Sequence, residues 1–377
     1  MSEHAGEVLE EARQLAHEFA EAELRPHVER WDRERALDPT VLASLAELGF
    51  FGMLVPEEYG GLGFDVPTSV AVLEELAWGE PTVALLVSIH NAYGVELLLR
   101  HGSEEQRRRW LEPMARGEVV ACLALAEPEA DSELAGLSTR AVRSGDGWTL
   151  DGTKSWVTNG RGAGLAVVAA RTDEPGAKGG EAGIGVFLIP TDAPGYEVEG
   201  RETTMGLRAA EIVTVRLRGV AVGADSLVGD PAAGSAYVAA ARDLGRLGMA
   251  AIAVGIARAA LEHAVAYADQ REQFGQKLRE FEGVQFKLAD MATRVEAARA
   301  LLQRAAAERS PRAVAMAKLF ASEAAMWVTT QAVQIFGGYG YMRDYPVEKL
   351  MRDAKATELC EGTSETQRVM IARELYR

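Results

Sequence analysis

The sequence predicts an α+β protein, mainly α, in three blocks: helices, then strands, then helices. Two observations carry that order. Apolar residues recur at spacings of three and four in the first and last thirds, the signature of helices with one buried face. Strand signals are confined to about 119–228 and do not alternate with helices, which argues against a doubly wound sheet. The expected divisions are an N-terminal all-α domain at 1–118, a middle β domain at 119–228 and a C-terminal helical bundle at 229–377. A chain of 377 residues is long enough for two or three domains.

In the first block, Val8, Ala12, Leu15, Phe19 and Ala22 form one apolar stripe. Asp38-Pro39 reads as an N-cap followed by proline at the first helical position, and Gly49 closes that helix. Ser103-x-x-Gln106 is a capping box. In the second block, Asp151-Gly152 lies between Trp148-Thr149-Leu150 and Thr153 to Val157, a hairpin signal. Further strands are expected at 165–170, 184–189 and 212–217, with a Gly-, Pro- and acid-rich loop at 173–183. In the third block, Leu247, Ala251, Val254, Arg258, Leu261 and Val265 share a helix face. Phe281, Val284, Leu288, Met291, Val295, Ala298 and Leu302 follow a near-heptad seam, which suits an antiparallel bundle or a subunit contact. Ser310-Pro311 starts a helix to about Phe336, and a second capping box, Ser364-x-x-Gln367, starts the last one.

The net charge of -16 argues against nucleic acid and against anionic membrane surfaces. No uninterrupted apolar run is long enough to span a bilayer, and the acidic N-terminus lacks the apolar stretch of a signal peptide. A cytoplasmic protein is expected. Two cysteines, Cys122 and Cys360, supply neither a disulfide framework nor a zinc site, and six scattered histidines show no ligand spacing. No metal is expected. Gly160-Arg161-Gly162-Ala163-Gly164 resembles a dinucleotide loop, but a strand follows it where the pyrophosphate needs a helix.

Chemistry concentrates in a few short segments. Glu361 precedes Gly362 on a tight loop ahead of the last helix, a fixed backbone from which a base can project into a cavity. Gln334-Ile335-Phe336-Gly337-Gly338 ends a helix with one glycine more than a cap requires, which suits backbone packed against a flat or phosphorylated ligand. Arg271 complements a helix dipole and equally suits a diphosphate. Trp156 and Thr158 can stack on and hydrogen-bond a ring system.

Taken in order, Tyr59-Gly60-Gly61-Leu62-Gly63, Ala126-Glu127-Pro128, Lys154 to Gly160, Arg271-x-Gln273-Phe274-Gly275, Gln334-x-Phe336-Gly337-Gly338-Tyr339-Gly340 and Glu361-Gly362-Thr363 resemble the acyl-CoA dehydrogenases over nearly the whole chain. The resemblance implies a helical domain, a small β-barrel-like domain and a C-terminal four-helix bundle. It implies FAD between the last two, with Leu125, Ala126, Trp156 and Thr158 bordering the isoalloxazine and Thr363 and Glu365 near the cofactor. Ser132 stands at both the cofactor and the substrate. Arg271, Phe274, Gln334, Gly337 and Gly338 would reach a cofactor shared across a subunit contact in a homotetramer. Glu361 becomes the base that takes the α-proton of an acyl-CoA thioester while a β-hydride leaves for the flavin. Asp243, Arg246, Ser132 and Gly362 contact the substrate, and electrons pass to an electron-transfer flavoprotein. Some relatives carry the base on an earlier helix; that position is Gly245 here, which leaves Glu361. Oxygen-using relatives and non-catalytic scaffolds share the fold. Glu361 disfavours the nitroalkane oxidases, which have aspartate there, and an acidic surface disfavours the DNA-binding members.

Several positions depart from the family pattern. Ala126 lacks a hydroxyl that would bond the flavin edge, and Glu129 and Asp131 replace glycines. Glu282 and Glu365 stand where glutamine is common, and Cys360 where tyrosine is. Carboxylates near a diphosphate weaken binding unless they face solvent or pair with a cation. Looser FAD retention is therefore expected. The flavin-to-protein ratio after gel filtration without added FAD should fall below one; full stoichiometry would count against it.

Overall fold

A computed structural model describes residues 3–130, 134–172 and 183–376. Its N-terminal part is built from α1 (Glu3–Phe19), α2 (Val28–Glu34), α3 (Pro39–Glu47), α4 (Val66–Gly79), α5 (Pro81–Ile89), α6 (Glu96–His101) and α7 (Glu104–Ala115). The caps fall where the sequence places them. Asp38 accepts from the Thr40 N–H at 3.1 Å, and Ser103 and Gln106 form both bonds of the capping box. The face of α1 differs. Ala12, Ala16, Phe19, Ala20 and Leu24 are buried, whereas Leu15 and Ala22 are exposed. Small residues decide this: Ala20 and Leu24 lie against Gly79, which lets α4 approach closely. The intervening π-helix, Ala20–Leu24, also rotates the register away from a simple stripe.

The middle part is one curled seven-stranded sheet in the order β1-β4-β2-β3-β7-β6, with β5 paired to β4. The strands are β1 (Ala121–Ala124), β2 (Arg140–Ser144), β3 (Gly147–Thr158), β4 (Leu165–Thr172), β5 (Ile184–Pro190), β6 (Tyr196–Arg201) and β7 (Ile212–Gly223). The Asp151-Gly152 hairpin is not formed. β3 continues through it with an irregularity between Leu150 and Gly152, and the turn lies earlier in the chain, between Ser144 and Gly147. Gly152 serves close packing instead: a Cβ there would lie 2.3 Å from the Thr139 hydroxyl. β1, β2 and β6 are strands that the sequence signals did not mark.

The C-terminal part is an antiparallel bundle. α8 (Gly234–Gln270) leads through a tight hairpin, β8 (Glu272–Gln273) and β9 (Gln276–Lys277), into α9 (Glu282–Glu308). α10 (Pro311–Phe336), α11 (Pro346–Leu359) and α12 (Ser364–Leu375) complete it. Ser310 caps α10 through the Ala313 N–H, as expected. The heptad-like seam of α9 is fully buried from Met291 onward but only partly so before it. Two segments, Pro81–His101 and Gly234–Gln270, reach membrane-crossing length and mean apolarity, though polar residues interrupt both. They are core helices: 89% of the apolar stretch in each is buried within the protein.

One buried ion pair organises the sheet. Lys154 donates to Glu127 at 2.7 Å and to the Leu125 carbonyl at 3.2 Å. Glu127 also accepts from the Ser138 N–H and hydroxyl and from the Thr139 N–H. Burial opposes its charge, but Lys154 and these donors hold the carboxyl down to about 2. The folded carboxyl therefore loses its proton more readily than the unfolded one. Its stabilisation is complete above the ordinary value of 4.5 and is lost as pH falls toward about 2. Denaturant unfolding should show a loss of about 3 kcal/mol across that window. The double variant Glu127→Gln/Lys154→Met should lack this component; an equally steep acid limb in it would refute the assignment.

Candidate active site

The loop between α11 and α12 bends sharply. Glu361 adopts φ +58 and Gly362 φ +87. A left-handed backbone costs a non-glycine residue about 1–3 kcal/mol, so something must hold it. Three side chains do. The Gln367 amide donates to the Glu361 carbonyl at 3.1 Å and to the Gly362 carbonyl at 3.0 Å. The fully buried Lys318 donates to the Gly362 carbonyl at 2.7 Å and to the Glu358 carbonyl at 3.3 Å. Arg246 reaches the Glu361 carbonyl at 3.4 Å. A hydrogen bond from a charged donor contributes about 1.5–3 kcal/mol, enough to offset the strain.

This corrects the reading of the last helix. Its cap is Thr363, whose hydroxyl accepts from the Thr366 N–H, and not Ser364. Gly362 turns the chain so that Ser364 is already helical, which frees Gln367 to reach back to the loop.

The Glu361 carboxylate points at α8. The Tyr93 hydroxyl donates to its Oε2 at 2.5 Å. A Cβ built on Gly245 would lie 2.9 Å from that oxygen and 2.8 Å from the Tyr93 hydroxyl. Position 245 must therefore be glycine for the carboxylate to lie there. Positions 245 and 361 thus reach one point. One turn of α8 also presents Arg246, which donates to Asp243 at 2.7 Å. Burial pushes the Asp243 carboxyl up, and Arg246 opposes it. Glu361, Gly362, Thr363, Asp243 and Arg246 thus form one cluster.

Leu125, Ala126, Trp156 and Thr158 form a second group on the sheet. The Ser155 N–H donates to the Ala126 carbonyl at 2.8 Å, joining the end of β1 to β3. The β3–β7 register shifts between Lys154 and Val157. Within that irregularity Trp156 takes φ +58 and is 59% exposed, while Val157 is buried. Arg271, Phe274, Gln334, Gly337 and Gly338 form a third group at the far end of the bundle. Phe274 and Gly275 make the β8–β9 turn at φ +53 and +82, which leaves Phe274 95% exposed. Arg271 stacks over Tyr339, and a Cβ at Gly337 or Gly338 would meet open space. Ser132 and Asp131 lie outside the described residues. The exposed indole, the neighbouring hydroxyl and the open glycine pair fit a flavin dinucleotide.

Models of the acyl-CoA dehydrogenase N-terminal, middle and C-terminal domains match residues 6–118, 122–220 and 232–376. The chain belongs to the acyl-CoA dehydrogenases. It is 39% identical over 370 residues to the mitochondrial short-chain specific acyl-CoA dehydrogenase of Rattus norvegicus, covering 97% of this chain and 89% of that one. It is also 39% identical to the probable acyl-CoA dehydrogenase YngJ of Bacillus subtilis (strain 168), covering 97% of each. Butyryl-CoA dehydrogenase from Megasphaera elsdenii superposes with a TM-score of 0.95 at 36% identity, over 100% of this chain and 99% of that one. A chain of the structure described as the electron transferring flavoprotein of Acidaminococcus fermentans gives 0.95 at 38% identity, over 100% of this chain and 99% of that one. This acyl-CoA dehydrogenase is accordingly an FAD-dependent oxidoreductase.

Of the unusual acids, Glu129, Glu282 and Glu365 are all exposed, the arrangement in which such charges cost least. Sequence reasoning missed Tyr93, Lys318 and the true role of Gln367. A lysine inside the apolar face of Ala313, Val314, Ala317 and Ala321 was a readable signal. Tyr93 had no motif around it. Lys318→Met should lower kcat/KM at least tenfold by loosening the loop, since small misplacements of a base are costly. It should also lower stability by about 1.5–3 kcal/mol in denaturant titrations. Wild-type kinetics in this variant would show that Lys318 does not hold Glu361.

Proposed function

We propose that this enzyme converts an acyl-CoA thioester to trans-2-enoyl-CoA, with Glu361 as the base, and passes the electrons to an electron-transfer flavoprotein. The observation that carries the assignment is the Glu361 carboxylate held against Gly245 beside Asp243 and Arg246. A thioester α-proton is too weakly acidic for an unaided carboxylate, so the developing enolate oxygen needs donors. On this reading the Glu361 backbone N–H supplies one, and its strained loop keeps that N–H and the carboxylate on one rigid unit. Asp243, Arg246, Gly362 and Ser132 orient the thioester arm. The apolar acyl chain excludes water from the reacting groups. Trp156 and Thr158 would hold FAD, which would supply a two-electron acceptor for the β-hydride. The relatives named as short-chain and butyryl-CoA enzymes favour a short acyl group.

The third group of residues supports a shared site. Gly245 and Arg271 stand 26 positions apart on and just beyond α8, about 39 Å along its axis. One dinucleotide cannot serve both ends. Arg271, Phe274, Gln334, Gly337 and Gly338 therefore serve a cofactor of a neighbouring copy, in a homotetramer. The exposed Phe274, Tyr341 and Met342 suit burial in such a contact. The chain matched in the Acidaminococcus fermentans structure favours an electron-transfer flavoprotein as acceptor. The same reading makes this a cytoplasmic enzyme of lipid or amino-acid catabolism.

Anaerobic addition of butyryl-CoA to the holoenzyme should bleach the flavin, and faster than palmitoyl-CoA does. Glu361→Gln should keep FAD and fold but slow bleaching about a thousandfold, within the range that a general base contributes. Turnover that survives this substitution would sink the assignment.

A further inference from the structure

We propose that Tyr93 is a positioning residue for the base: its phenol fixes the rotamer of the Glu361 carboxylate and leaves one oxygen free for the α-proton. The inference rests on the reading of Glu361 as the base.

Three features converge on the phenol. First, its hydroxyl donates to Glu361 Oε2 at 2.5 Å from a side chain that is 1% exposed. Second, Tyr93 stands in a π-helix, His90–Val95, between α5 and α6. An extra residue per turn redirects side chains, and such bulges recur at functional sites. This one is fastened on both shoulders. His90 Nδ1 accepts from the Ala121 N–H at 2.9 Å, and the Asn91 amide donates to the Phe50 and Val87 carbonyls at 3.1 and 3.0 Å. Third, Gly245 closes the space behind the phenol and the carboxylate together. A tyrosine needed only for packing would not require its hydroxyl to meet a carboxylate across two packed helical segments.

The charged surroundings decide what the bond does. Arg242 and Arg246 act on the pair from α8, Lys318 from α10 and Cys360 from the end of α11, while Asp243 and Glu358 act in turn on Arg246 and Lys318. His90, on the same π-turn, is held neutral by burial and is turned to Ala121. Burial first, and then the Glu361 carboxylate, push the Tyr93 hydroxyl well above its ordinary value, against Arg242 and Arg246. The phenol therefore stays a donor throughout the working range. That donated hydrogen bond holds Oε2 in place. Among the described residues no hydrogen bond occupies Oε1, so Oε1 is the oxygen left to take the α-proton.

The test measures kcat and KM with butyryl-CoA, and α-proton exchange of butyryl-CoA in deuterium oxide, for wild type and Tyr93→Phe. Loss of the donor should slow kcat and exchange about tenfold, with KM nearly unchanged. A kcat and exchange rate equal to wild type, or a change in KM alone, overturns the proposal. Tyr93→3-fluorotyrosine keeps both the shape and the donor, so it should retain the wild-type exchange rate; a tenfold loss in it overturns the proposal even if Tyr93→Phe misfolds. The parent reading fails separately. A wild-type holoenzyme that no acyl-CoA bleaches overturns both, whereas an active wild type, a dead Glu361→Gln and an unaltered Tyr93→Phe overturn this proposal alone.

Discussion

The site depends on one strained residue being held still. Glu361 has a backbone that an L-residue avoids, and it keeps it because Lys318, Gln367 and Arg246 all donate to the carbonyls of the loop. These donors come from three different helices. The loop is thus fixed by the packing of the bundle and not by its own preferences. Tyr93 completes the arrangement from the N-terminal helices, so the carboxylate sits where two blocks of the chain meet. Strain of this kind persists only where surrounding structure over-determines it.

The sheet side follows the same logic with different chemistry. Lys154 and Glu127 are both buried, and each is satisfied by backbone groups as well as by its partner. Breaking one half would leave an unpaired buried charge, which is far costlier than the pair itself is stabilising. The pair ties the segment at Leu125 and Ala126 to the part of β3 that carries Trp156. Leu125, Ala126 and Trp156 are therefore presented by a rigid unit. α8 joins the two sides, and its length of 37 residues separates the Glu361 cluster from the aromatic end of the bundle.

The block order, the caps at Asp38, Ser103 and Ser310 and most long helices were legible because they rest on local periodicity and short-range hydrogen bonds. The failures share a cause. Asp151-Gly152 has the composition of a turn, but its glycine answers to Thr139 on another segment. The stripe on α1 counted large residues, while the buried face is made by alanines that admit a neighbouring helix. Ser364 and Gln367 fit a capping box, yet Gln367 is drawn away by carbonyls that exist only because Glu361 and Gly362 are left-handed.

The amino-acid sequence by itself determined the α–β–α order, the family and the acid at position 361, since each is written in local pattern and motif spacing. Tertiary structure alone decided that a tyrosine 268 positions away touches that acid, that a buried lysine props its loop and that Gly245 leaves it room. Those contacts join segments remote in the chain, and their energetics depend on burial, which no window of sequence records.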